Sequence, residues 1–144
     1  MISTPDQLNI TKTDPEATLP TRAHPDDAGL DLYGNENVTI LPGQGHVTKT
    51  GVAIALPIGH VGLVADRSSM AKKGLKTAGG VIDAGYRGEL HIVLWNISKE
   101  AVEIKRGDRI AQLLIFPIAT PQVIEVETLN ETSRGSKGFG SSGR

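Results

Sequence analysis

The sequence contains no cysteine among its 144 residues, which excludes disulfides and thiolate metal sites. Aromatic residues make up only 3%. Tyr33, Tyr86, Trp95, Phe116 and Phe139 are all of them, so each carries more information than usual. No run of eighteen apolar residues occurs, so no membrane-spanning helix is expected. Basic excess is also missing: the net charge is −1, which argues against a general nucleic-acid binder. His24, His46, His60 and His91 lack any paired ligand spacing, so a histidine metal site is not indicated. The opening MISTPDQLNITKT lacks the basic start and apolar stretch of a secretory signal, making the cytoplasm the expected location.

What is present suits one globular domain. Apolar residues make up 38% and charged residues 22%, both ordinary values. Short runs rich in Val and Ile are broken by Gly and Pro. They predict strands over 37–40, 45–56, 60–65, 89–96, 101–104, 109–118 and 122–129. The only helical stretch is SSMAKKG, 68–74, with Ser68 or Ser69 as cap and Gly74 as terminator. An all-β sandwich or barrel-like fold follows, with an extended edge strand or loop before residue 25. The β domain is expected to span 1–129. A Gly/Ser-rich tail follows over 130–144.

Five stretches resist a purely structural explanation, although each has a bland reading beside it. DDAGLDLYG (26–34) packs three carboxylates around a glycine, and an Asp-rich turn would do the same. DRSSMAKKG (66–74) puts Arg67, Ser68 and Ser69 where an anion could bind, or where a helix merely starts. GGVIDAGYRGEL (79–90) sets Asp83 directly after an apolar pair and brackets it with glycines. Its backbone could approach a ligand, or the Asp could close an Asx turn. GDRIAQLLIFP (107–117) places Gln112 in an apolar run, where an amide needs partners or water. Finally, RGSKGFGSSGR (134–144) cannot bury enough surface to stay ordered alone, yet carries the lone aromatic Phe139.

In order and combination, these five stretches resemble the motifs of the homotrimeric dUTPase family. The matching segments are DAGLDL (27–32), RSSMAKKG (67–74), GGVIDAGYRG (79–88), GDRIAQLL (107–114) and RGSKGFGSSG (134–143). The chain departs from the usual pattern with Asp66 for Pro, Ser69 for Gly, Met70 for Leu, Lys137 for Gly and Ser142 for Thr. The resemblance implies a β-clip, distorted jelly-roll fold and a homotrimer whose active sites are shared between chains. Motif three would come from one chain, motifs one, two and four from a second, and motif five from a third.

The implied reaction is Mg²⁺-dependent hydrolysis of dUTP to dUMP and pyrophosphate, which limits uracil in DNA and supplies dUMP for dTMP synthesis. Asp83 would activate the water that attacks the α-phosphorus. Arg67, Ser68, Ser69, Gln112 and Arg134 would hold the phosphates. Asp31 would meet Mg²⁺ only through water. Gly80, Val81 and Ile82 would read the uracil edge, with the His91 backbone nearby. Tyr86 would lie against deoxyribose and exclude a 2′-hydroxyl. Phe139, Gly140 and Ser141 of the tail would close over base and phosphates. Two alternatives remain. A dCTP deaminase shares the RSS start of motif two, but Val93 stands where its catalytic Glu would be. A regulatory binding module on the same scaffold is the other.

Overall fold

β-Branched runs punctuated by Gly and Pro fold into short antiparallel strands. The structure is a computed structural model that describes residues 6–140. Its elements run β1 (Asn9–Lys12), β2 (Leu30–Tyr33), β3 (Val38–Ile40), β4 (Gly45–Ala55), β5 (His60–Ala65) and α1 (Ser68–Lys72), then β6 (Leu75–Thr77), β7 (Val81–Ile82), β8 (Glu89–Asn96), β9 (Val102–Ile104) and β10 (Arg109–Pro117). One sheet has the order β1-β4-β8-β6 and a second the order β2-β10-β5-β7; β3 and β9 form a separate pair.

Alternation along the strands builds the core. In β8, Leu90, Ile92, Leu94 and Asn96 point inward and are at most 1% exposed, while His91 and Trp95 are exposed. Leu32, Ile40, Ile104, Ile110 and Leu113 come from elements outside this sheet, and with Val52 of the neighbouring β4 they join the same cluster. Asn96 is buried but satisfied: its amide donates to Ile40 O at 2.8 Å and Glu100 O at 2.7 Å. β4 is the longest strand, and its ladder with β8 slips between Lys49 and Ala53. Gly51 stands at that slip with φ +71°, a conformation that only glycine adopts cheaply.

Three expectations need correction. The stretch 122–129 forms no strand, and residues 116–140 are exposed throughout. Its apolar pattern is real, but a strand needs a hydrogen-bonding neighbour, and this segment has left the sheets. The helix spans only Ser68–Lys72, and Arg67, not a serine, is its N-cap residue, with no side-chain cap bond. Gly74 does follow its end, with φ +85°. Lastly, strands β2 and β6 were not foreseen: β2 was hidden inside the acidic stretch, and β6 is only three residues long.

Candidate active site

The pairing of β10 gathers the first cluster. This strand runs between β2 and β5, and Gln112 faces Asp31 on one side and Ala65 on the other. Two residues beyond Ala65 the chain reaches Arg67. Its Nε lies 3.2 Å from Asp31 Oδ1, and Arg109 Nε approaches Asp31 Oδ2 at 3.8 Å. Arg67 Nη1 also donates to Arg109 O at 3.3 Å. One carboxylate therefore faces two guanidinium groups, leaving an excess positive charge suited to an anion. Ser68 and Ser69 lie exposed immediately after Arg67.

Gln112 is partly buried and finds the partner its position demands: Nε2 donates to Asp66 O at 2.8 Å. Its other amide atom explains the glycine of the first motif. A Cβ on Gly29 would stand 2.0 Å from Gln112 Oε1, so Gly29 makes room for the amide. The Asp66 carboxylate engages β6, with Oδ1 accepting from Thr77 N and Thr77 Oγ1, both at 2.7 Å. Oδ2 pairs with the Lys76 ammonium. Partial burial pushes the Asp66 pKa up, but the bonds from Lys76 and Thr77 outweigh it and hold the group below the usual carboxylate range.

The second cluster is the β7–β8 hairpin. Val81, Ile82, Asp83, Tyr86, Glu89, Leu90 and His91 line a cavity of about 210 Å³. Gly80 has φ +113°, and its carbonyl accepts Val64 N at 2.8 Å, anchoring the hairpin to β5. Tyr86 N donates to Asp83 O at 3.1 Å, so the turn is closed by backbone and the Asp83 side chain is left exposed. The Tyr86 hydroxyl donates to Glu89 O at 2.8 Å. Glu89 in turn accepts Thr13 Oγ1 at 3.0 Å and faces His91 Nε2 at 3.3 Å.

The third cluster is the tail. Arg134 Nε donates to Lys137 O at 2.9 Å, and Gly135 N donates to Thr132 Oγ1 at 3.1 Å. Among the described residues its hydrogen bonds stay within the tail. Phe139 is fully exposed, and Gly140 has φ +79°. Ser141 lies outside the described residues.

The sequence-selected residues thus fall into three groups. Asp31, Arg67 and Gln112 meet; Asp83, Tyr86 and His91 share a cavity with Val81 and Ile82; Arg134 and Phe139 stand apart from both. Two participants were missed. Arg109 reaches Asp31, and its place inside GDRIAQLL could have marked it. Glu89 lines the Asp83 cavity, and strand alternation from the buried Leu90 could have placed it there. Among the described residues no group of three His, Cys, Asp or Glu could hold a metal ion. Among the described residues no helix is long and apolar enough to cross a membrane.

Comparison with known proteins points one way. A family profile described as dUTPase matches residues 15–143. A deoxyuridine 5′-triphosphate nucleotidohydrolase of Rhodococcus erythropolis is 50% identical over 144 residues, covering 96% of this chain and 88% of the relative. One from Corynebacterium jeikeium is also 50% identical, over 94% of this chain and 92% of its own. Among solved structures, a mutant dUTPase of Staphylococcus bacteriophage 80alpha with dUpNHpp superposes with TM-score 0.91 at 35% identity, covering 97% of this chain and all of that one. A mutant dUTPase of phage phi11, described with a structural Mg(II) ion, matches at TM-score 0.83 and 33% identity over 88% of this chain and 100% of that one.

Proposed function

As this chain belongs to the dUTPase family, we propose that it hydrolyses dUTP to dUMP and pyrophosphate in an active site shared between three copies. The observation that carries this reading is the register of β10. It brings Asp31, Gln112 and the approach to Arg67 into one row, an anion cradle with Arg109 behind it. Arg67 and Gln112 hold the triphosphate there, with Ser68 and Ser69 adding hydroxyls. Arg134 joins from the tail.

Asp83 holds a water in line with the α-phosphorus and accepts its proton as the bond to the leaving pyrophosphate oxygen breaks. Its exposure in the single chain suits a group that works against a neighbour's phosphates. The backbone of Gly80, Val81 and Ile82 meets the uracil edge, near His91. Fixed backbone donors and acceptors there leave cytosine unpaired. Tyr86 is held by its bond to Glu89 O, and so presents a rigid ring against the deoxyribose. Phe139 stacks on the base as residues 130–144 close, with Gly140 and Ser141 following the phosphates.

The residues fit Mg²⁺ carried by the substrate and not caged by the protein. The acidic group of the cradle, Asp31, is already neutralised by Arg67 and Arg109 and suits a contact through water. Bound with the triphosphate, Mg²⁺ would offset the charge that develops on its oxygens.

Two features support a trimer. Phe116 and Val81 are 43% and 66% exposed beside Leu114 and Leu63, an apolar face adjoining the cradle. The exposed Val123, Ile124, Val126 and Leu129 retain a strand-like composition, while β1 is an open sheet edge. A cytoplasmic location with no nucleic-acid or membrane partner accords with the net charge of −1.

The test is pyrophosphate release from dUTP with Mg²⁺, comparing wild type with Asp83→Asn. Turnover by the wild type that falls at least ~10²-fold in the variant supports the mechanism. A wild type that releases no pyrophosphate refutes the activity. Sedimentation at the mass of one chain would refute the shared site.

A further inference from the structure

The dUTPase motifs leave Asp66 without a role, and the family usually has proline there. A proline ring has no polar group to hydrogen-bond with. In this chain the carboxylate makes three contacts: Thr77 N, Thr77 Oγ1 and the Lys76 ammonium. All three lie on β6, which belongs to the sheet β1-β4-β8-β6. The same residue's main-chain oxygen receives Gln112 Nε2, from β10 in the other sheet. The next residue is Arg67, whose guanidinium is set on Asp31 and Arg109 O. One peptide thus connects both sheets, carries Arg67 and receives the amide of Gln112.

We infer that Asp66 is a positioning residue, which ties the Asp66–Arg67 peptide to Lys76 and Thr77 and thereby aims Arg67 and Gln112 at the triphosphate. The geometry explains how an acid is tolerated next to an anion site. The carboxylate is turned onto β6 and neutralised by Lys76, so the phosphates meet only its carbonyl side, through Gln112. Asp66 touches neither substrate nor reacting atoms. Its work is to remove freedom from two long side chains before substrate arrives.

This inference rests on the triphosphate reading above, so its test separates the two. Binding of Mg²⁺-pyrophosphate and of deoxyuridine is measured by calorimetry for wild type, Asp66→Ala and Lys76→Met, alongside dUTP kinetics. In Asp66→Ala, KM for dUTP and Kd for pyrophosphate are expected to rise together by about tenfold, the scale of one lost charge-assisted contact. Affinity for deoxyuridine should stay within about twofold, because the hairpin that reads the base is untouched. Lys76→Met should give a smaller rise of the same kind, and the double variant no more than Asp66→Ala alone.

Unchanged pyrophosphate affinity in both folded variants overturns the inference. An equal loss for pyrophosphate and deoxyuridine also overturns it, since that pattern marks general distortion. If Asp66→Ala fails to fold, Lys76→Met decides on the same criteria. A wild type that binds pyrophosphate but does not hydrolyse dUTP refutes the activity and leaves the inference to be judged on binding. A wild type that binds neither overturns both.

Discussion

The cradle and the tail are the two parts of the proposed site that differ most. Asp31 and Gln112 are set by the ladders of β10, Arg67 follows directly on β5, and the neighbours Leu32, Ala111 and Leu113 are no more than 1% exposed. Phe139 and Arg134 rest on nothing but their own tail. The cradle's geometry comes from folding, whereas the tail's must come from binding. Preformed contacts cost little to use, and a loose segment must lose entropy at each closure. The reward is different as well: a fixed cradle cannot shut out water, but a segment that opens and closes can.

The two regions should therefore fail differently. Leu113→Ala removes a packed side chain under the cradle and should cost about 2–5 kcal/mol of stability. Its effect appears in a urea melt, and activity falls only as the fold is lost. Removing residues 134–144 should do the reverse: kcat/KM falls by roughly 10²-fold, as when an electrostatic clamp is lost, while the melt is unmoved. A truncated enzyme with full activity, or one with a much lower melting point, breaks the comparison. Phe139→Ala should lose about tenfold in kcat/KM, within the range for one base–aromatic stack. The loss should be absent when a substrate lacking the base is used.

The same contrast governs how much could be read from the sequence. Strands 60–65 and 89–96 match the expectation residue for residue, because alternating and β-branched runs are fixed by local chemistry and burial. The five motifs picked out the candidate residues, yet their spacing did not say which would meet. Asp31 and Gln112 are separated by most of the chain, and only the ladder shows them facing each other. Glu89 and Arg109 escaped notice because their roles come from tertiary neighbours, Thr13 and Asp31. The missing strand over 122–129 is the opposite case. Its pattern was legible, but among the described residues the segment pairs with no strand.

A weaker effect probes the cradle from the side of its support. Gly29→Ala would push a methyl into Gln112 Oε1, so the amide must swing away. KM for dUTP should rise by roughly fivefold to tenfold, as for one displaced hydrogen bond, with kcat nearly unchanged. An unaltered KM would mean that Gln112 does not touch the phosphates.

The smallest expected effect is a pH dependence. Asp66 has a folded-state pKa below its unfolded value, since the bonds from Lys76 and Thr77 outweigh the opposing effect of burial. A lowered carboxylate pKa contributes stability that is complete above the unfolded value and is lost as pH falls through the folded one. An unperturbed aspartate titrates at about 3.9, so the contribution should hold at neutral pH and fade only below about pH 4. Asp14 is lowered too, by bonds from Glu16 N and Asn35, so acid melts of the wild type alone mix two groups. Comparing wild type with Asp66→Asn separates them. The melting-temperature gap between the two should be constant from pH 7 to pH 5 and narrow below pH 4. A gap that widens on acidification would mean the carboxylate is destabilised in the fold. The support that ties the cradle to β6 would then have the wrong sign.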